Sequence, residues 1–231
     1  LLTHTSGLTY GLQAAHHPVA RRYNEMQLEG DALPLDQVVA KILEQPLAFQ
    51  PGSRWHYSVS TDVLARVVEI ISGKSIDQFL QQSLFDPLGM KDTVYLPSPN
   101  LRYRTAPTKW WDGKMQRGVP NNPICRRTGG VHGHAGMFTT AADLARYCRM
   151  ILNKGELDGF RFLQPETIRL MTSVQSPSEV ESLRGLGWDI DSSYSSQRGE
   201  IFPISGFGHT GFTGPSTVSY THLTLPTNRE V

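Results

Sequence analysis

The 231-residue sequence predicts an α/β fold in which a helical lobe over about residues 1–123 precedes a helix and antiparallel strands over 124–217. Three observations carry this reading. Apolar residues recur at helical spacing through most of the first hundred positions. A glycine-rich crossing fills residues 129–136. From Gly187 onward, short apolar segments are punctuated by glycine, the pattern of strands.

Taken in order, residues 1–8 (Leu-Leu-Thr-His-Thr-Ser-Gly-Leu) are hydroxyl-rich after two leucines and suit a loop that follows a helix end. Residues 36–45 place Val38, Val39, Ile42 and Leu43 on one face between Pro34 and Pro46, which predicts a short amphipathic helix. Pro51-Gly52 makes a turn. A second helix over 62–72 is apolar at Val63, Leu64, Val67, Val68 and Ile71, and Gly73 ends it in the left-handed conformation open to glycine. Ser75 is placed to cap a third helix with Ile76, Phe79 and Leu80 inward, which Asp86-Pro87-Leu88-Gly89 stops. Residues 96–123 hold Pro97, Pro99, Pro107, Pro120 and Pro123 with Trp110 and Trp111, and read as a long irregular connection with aromatic anchors. Thr140, partnered by Asp143, caps a helix through Leu144, Tyr147, Cys148, Ile151 and Leu152 that Gly155 closes. Pro165 opens another, reaching about Met171. Segments 187–190, 201–204 and 208–214 follow as successive strands.

Composition narrows the function. With 39% hydrophobic and 19% charged residues the chain can bury a core, and a net charge of +1 with scattered basic residues points away from nucleic acid. No run approaches the roughly 18 apolar residues of a membrane span. Two cysteines, Cys125 and Cys148, allow one bridge at most. Position 1 is not Met, and residues 218–231 resemble a reading-frame translation of a sequencing-library adapter. The expectation is therefore a fragment, with a partial domain over 1–217 and a non-native tail over 218–231; the alternative is a native tail in which Val218 and Tyr220 continue a strand.

The chemistry gathers at two places. Gly208-His209-Thr210-Gly211-Phe212-Thr213-Gly214 has three glycines that let a ligand approach the backbone, and between them an imidazole able to exchange a proton near neutrality and a hydroxyl. Tyr57 stands between the Pro51-Gly52 turn and a helix. Its hydroxyl can act as a base only where positive neighbours lower its reference pKa of about 10. A third candidate is the pair His132 and His134, which with His4 or Asp143 could ligate a metal ion. No third ligand stands at a characteristic spacing, so both imidazoles are expected to satisfy buried backbone instead.

Residues 1–8, Tyr57-Ser58 before Asp62-Val63-Leu64, Pro87-Leu88-Gly89-Met90, the crossing through Phe138 and the His209 motif occur in this order, and together they resemble the serine β-lactamase-related superfamily. That group includes class C β-lactamases, penicillin-binding proteins of the D-alanyl carboxypeptidase type and β-lactamase-like esterases. The resemblance implies a β-lactamase/transpeptidase-like fold and an acyl-enzyme hydrolase in which the serine of a Ser-x-x-Lys motif attacks a carbonyl while the lysine and a tyrosine move protons. It maps the tyrosine onto Tyr57 and the Lys/His-Thr-Gly strand onto His209, Thr210 and Gly211, and it makes the Phe212 N–H half of an oxyanion hole. It further implies that Tyr57 and His209 face one cleft, that Ser58 has a structural or cleft-lining role, and that the substrate is a small ester or peptide-like molecule. No cofactor is implied, and the compartment it suggests is periplasmic or extracellular.

Three departures qualify the resemblance. None of the six lysines (Lys41, Lys74, Lys91, Lys109, Lys114, Lys154) has a serine three residues before it, so the expected nucleophile is missing from this sequence and the fragment is expected to be inactive. Val59 stands where many relatives carry an amide-binding asparagine. His209 replaces a permanently cationic lysine, and both changes lean toward ester hydrolysis. A non-catalytic binding protein that keeps the cleft is the alternative from another class, and a metal-dependent hydrolase built on His132 and His134 is a more remote one.

Overall fold

The computed structural model of the chain describes residues 1–11, 18–26, 33–111, 113–192, 206–211 and 216–219. The chain divides into two units. Unit 1 comprises Leu1–Tyr147 with Ser176–Glu181, and unit 2 comprises Cys148–Gln175 with Ser182–Val231.

Unit 1 is built on helices α1 (Pro18–Glu25), α2 (Leu35–Leu43), α3 (Ser60–Ser72) and α4 (Ile76–Leu80), followed by a π-helical turn, Gln81–Phe85, and α5 (Asp86–Leu88). The spacing in α2 decides its packing. Val38 and Ile42 meet Leu8, Tyr10, Val59 and Tyr23 of α1, while Leu35 and Val39 meet Ala65 of α3 and Ile76 of α4. Leu43, the fourth residue of the predicted face, lies outside this stripe and is 64% exposed. In α3 the inward face also differs from the predicted one. Asp62 and Ala65 are buried and Val63 and Val68 pack against the core clusters, whereas Ile71 is 80% exposed.

Gly73 ends α3 with φ 69°, its N–H donating to the Glu69 carbonyl. The cap expected of Ser75 comes from elsewhere: the Glu69 carboxylate accepts the Ile76 N–H at 3.0 Å and holds Arg66 with its other oxygen at 3.1 Å. A longer acidic side chain reaching back from the previous helix thus does the work of the local hydroxyl.

After β1 (Val94–Tyr95) and α6 (Pro99–Arg102), a hairpin of β2 (Lys109–Trp111) and β3 (Lys114–Gln116) takes up the tryptophan pair. Neither ring is a buried anchor. Trp110 is 65% exposed, and Trp111 lies under the Arg126 guanidinium at 4.0 Å, a cation–π contact. Arg126 belongs to α7 (Pro123–Arg127), which Asn122 caps by accepting the Cys125 N–H.

The crossing leads to β4 (Met137–Phe138), paired antiparallel with β1, and then α8 (Ala141–Leu152). Thr140 caps α8 as predicted, accepting the Asp143 N–H at 3.2 Å. The Asp143 carboxylate does not return the bond. It accepts from the Asp92 N–H and the Thr93 hydroxyl, both at 2.8 Å, and so ties the first turn of α8 to the chain entering β1.

Unit 2 contains the hairpin of β5 (Glu156–Leu157) and β6 (Phe160–Arg161), α9 (Pro165–Thr172), and an antiparallel sheet of β7 (Leu183–Arg184), β8 (Asp189–Asp191), β9 (Phe207–Thr210) and β10 (Ser216–Ser219) in spatial order 10-9-8-7. Trp188 and Phe207 meet edge to face at 5.2 Å beneath it. Strand β10 takes in Val218 and Ser219, the first two residues of the expected tail. Segment 201–204, Phe212 and residues 220–231 lie outside the described residues. Among the described residues no helix is long and apolar enough to cross a membrane. Cys125, fully buried, and Cys148 are both free thiols.

Candidate active site

Tyr57 is held by the first ten residues of the chain. The Leu1–Thr9 stretch runs beside residues 48–56: the Gly7 carbonyl accepts the Ala48 N–H at 2.7 Å, the Thr5 carbonyl the Gly52 N–H at 2.7 Å, and the His4 carbonyl the His56 N–H at 2.9 Å. The Thr9 hydroxyl bonds the His56 ring at 2.9 Å. These bonds fix the backbone on the N-terminal side of Tyr57, and α3 fixes the other. The Tyr57 ring then lies between two neighbours, with His4 4.6 Å away and tilted by 33° and Tyr10 stacked at 6.1 Å. His4 holds its place at φ 55°, a left-handed conformation uncommon outside glycine. Tyr57 itself remains half-buried.

Ser58, next in sequence, is fully enclosed. Its hydroxyl bonds Ser60 at 2.6 Å, and Ser60 bonds Ser6 at 2.7 Å, a serine chain that fastens the N-terminal stretch to the start of α3. The hydroxyl expected to have a structural or cleft-lining role is thus buried and bonded to its serine neighbour.

The buried Asp62 in the first turn of α3 organises the crossing. One carboxylate oxygen accepts the backbone N–H groups of Gly133 (2.9 Å) and His134 (3.2 Å), and the other accepts from His134 Nδ1 at 2.6 Å. Burial favours the neutral acid. The charge interactions of His134 and His132 and the hydrogen bond from His134 outweigh it and hold Asp62 far below the usual carboxylate range. Gly133 must be glycine because a Cβ there would run into the Thr61 carbonyl. The two imidazoles therefore do not satisfy backbone, as the sequence suggested. His134 bonds a carboxylate, and His132 bonds the Thr128 hydroxyl through Nε2. Tyr10, stacked on Tyr57, also meets His134 edge-on at 5.5 Å, so the crossing buttresses the aromatic group around Tyr57. Burial, with the Asp62 charge adding to it, pushes the Cys125 thiol up to about 12 and makes it a poor nucleophile.

In unit 2, His209 sits on β9 opposite Thr217 of β10, and Gly208 pairs with Asp189 on one side and Val218 on the other. His209 Nδ1 donates to the Thr210 carbonyl at 2.9 Å. A carbonyl can only accept, so the neutral ring carries its lone pair on Nε2. Burial and then the positive charge of Arg184 push the His209 pKa below the usual histidine value, against the opposing bond to Thr210 and the charge of Asp189. Arg184 and Asp189 form a buried pair at 3.6 Å on β7 and β8. Gly211 is exposed at the end of the strand.

The folded chain thus stores His209 neutral, and the sign of its pH effect follows. A histidine whose folded pKa is depressed contributes fully above its unfolded value of about 6.5 and loses that contribution as pH falls toward the lower folded value. Urea midpoints measured from pH 7.5 down to 5 should decline, and His209→Gln should flatten the decline; an unchanged slope in the variant would contradict this account of the strand.

The reading from sequence pointed to Tyr57 and His209, named His4 only as a possible partner of the histidine pair and Asp62 only within a family motif, and gave Tyr10 no role. The aromatic pair carried no spacing signal. An acid in a helix's first turn is ordinary on dipole grounds alone.

Comparison with known proteins adds the following. The family model described as Beta-lactamase matches residues 1–224. Protein Rv1367c of Mycobacterium tuberculosis (strain ATCC 25618 / H37Rv) is 32% identical over 189 residues, 81% of this chain and 46% of its own length. A protein of Escherichia coli (strain K12), provisionally named a D-alanyl-D-alanine carboxypeptidase, is 29% identical over 210 residues, 82% of this chain and 48% of its own. Among solved structures, EstCE1, described as a hydrolase with promiscuous acyltransferase activity, superposes with TM-score 0.71 at 22% identity, covering 95% of this chain and 62% of that one. A penicillin-binding protein homologue from Caulobacter crescentus gives 0.66 at 20% identity, covering 95% and 61%. The chain spans about half the length of the curated relatives it matches.

Proposed function

Because the chain belongs to the Beta-lactamase family of serine hydrolases and has the β-lactamase/transpeptidase-like fold, we propose that it carries the proton-moving and oxyanion-binding residues of an acyl-enzyme hydrolase acting on carboxylic esters or D-alanyl-type amides. Tyr57 is the proton carrier. His209 and Thr210 are polar groups toward the substrate, with Gly211 leaving the backbone open. The Phe212 N–H donates to the carbonyl oxygen as it gains charge. The serine nucleophile and its lysine are not among these 231 residues, since no lysine here follows a serine by one helical turn.

The observation that supports this reading best is the cradle around Tyr57. Backbone bonds from the Leu1–Thr9 stretch, two neighbouring rings and the Asp62-anchored crossing all converge on one half-buried tyrosine. The neutral His209 favours ester over carboxylate-bearing substrates, because a permanent cation is what would recognise a substrate carboxylate.

The test is covalent labelling read by intact-mass and peptide mass spectrometry. With a fluorophosphonate or penicillin this 231-residue chain should take up no adduct, whereas a longer protein including a Ser-x-x-Lys segment should be labelled once, on that serine. Stoichiometric labelling of Ser58 in the present chain would sink the proposal, as would an unlabelled longer protein, which would leave a binding role.

A further inference from the structure

We propose that Asp62, His132 and His134 form a binding site for a divalent transition-metal ion of the zinc type, inside unit 1 and separate from the chemistry assigned to Tyr57. One carboxylate oxygen and one ring nitrogen from each histidine lie within 4.8 Å of one another. All three groups are withdrawn from solvent, with side-chain exposures of 1% for Asp62, 0% for His132 and 4% for His134.

The argument begins at Thr128. Its hydroxyl donates to the Ile124 carbonyl at 2.8 Å, since a carbonyl cannot donate. The same oxygen must then accept from His132 Nε2, which therefore carries the hydrogen. In the neutral ring, His132 Nδ1 is left with a bare lone pair, and that atom is buried with no hydrogen-bond partner. It faces Asp62 Oδ1 at 3.4 Å. A lone pair and a carboxylate oxygen confronting each other away from water require a positive charge between them, either a proton or a metal ion.

Geometry favours the metal. The gap is longer than the 2.7–3.2 Å usual for N–H···O bonds, and Oδ1 already accepts the Gly133 and His134 N–H groups. Two ligands each about 2.0–2.1 Å from a tetrahedral zinc ion stand about 3.3 Å apart, close to the separation seen here. His132 also has the outer support that metal-bound histidines have, its second ring nitrogen donating to a fixed acceptor. His134 joins by turning its Nδ1 lone pair to the ion. The hydrogen it now donates to Asp62 Oδ2 then resides on Nε2, at present buried without a partner, and the 2.6 Å contact opens toward the ligand–ligand distance. Three protein ligands leave a fourth position for water.

The test is zinc uptake by the full chain stripped with a chelator. Titration with zinc sulfate, followed by calorimetry and elemental analysis, should give one equivalent and a higher thermal midpoint, and cobalt(II) in its place should give the visible absorption of a tetrahedral site. Thr128→Val keeps all three ligands and should weaken zinc affinity by about 10–100-fold, the usual loss when the support behind a metal-bound histidine is removed. His132→Ala should abolish uptake. Far-UV circular dichroism reports whether each variant folds; should His132→Ala not fold, the Thr128→Val affinity decides. No saturable uptake at tenfold excess zinc, or uptake unchanged in a folded His132→Ala or in Thr128→Val, would overturn the proposal and leave Asp62 as a cap of the crossing.

Discussion

Tyr57→Phe should slow acylation of a longer protein bearing the Ser-x-x-Lys segment by about 10²-fold or more, the range lost when a positioned general base is removed. The substitution takes away one oxygen and keeps the ring that stacks on Tyr10 and His4. Pre-steady-state labelling with a chromogenic ester isolates the acylation step. The pH–rate profile adds a readout that packing alone cannot move, because a proton carrier contributes a limb to the profile that the phenylalanine variant should lose. Equal acylation rates and equal profiles would return Tyr57 to the status of a core aromatic.

Asp62→Ala should be the most destabilising single substitution in unit 1, at about 3–5 kcal/mol, the cost of removing one partner from a buried charged assembly. The alanine would strand the Gly133 and His134 N–H groups and His134 Nδ1 together, in a site withdrawn from bulk solvent. Asp62→Asn keeps an acceptor of similar shape but not the charge, so it should fall between wild type and alanine. Urea unfolding with chelator present measures the polar anchor alone; repeating it with zinc measures whatever the metal adds. A loss below about 1 kcal/mol for alanine would place Asp62 among ordinary surface acids. Because the crossing supports Tyr10 and Tyr10 stacks on Tyr57, the two predictions are linked through His134, and a mild Asp62 variant should perturb Tyr57 chemistry before the chain unfolds.

Much of the fold was legible in the sequence because its elements are locally encoded. The apolar spacing of α2, the left-handed Gly73, the Thr140 cap and Pro165 at the first turn of α9 each act within one or two turns of backbone, and each is found where the spacing puts it. Position 209 on a strand between glycines was legible for the same reason. Local rules failed where a competing partner came from far along the chain. Glu69 displaced Ser75 as the cap of α4, Asp143 turned from its helix to β1, and the tryptophans found Arg126 instead of a core.

By itself, the sequence determined the helices α2, α3, α4, α8 and α9, the family motifs, the presence of Tyr57 and His209, and the absence of any Ser-x-x-Lys. Only the tertiary structure decided that Ser58 is sealed inside a serine chain, that His4 and Tyr10 flank Tyr57, and that Asp62 meets His132 and His134 some seventy residues away. The physical reason is one of range. Periodicity and capping are settled by neighbours within a turn of helix or a step of strand, whereas a buried carboxylate's partners are settled by desolvation, which charges for every unmet donor and acceptor wherever in the chain it arose.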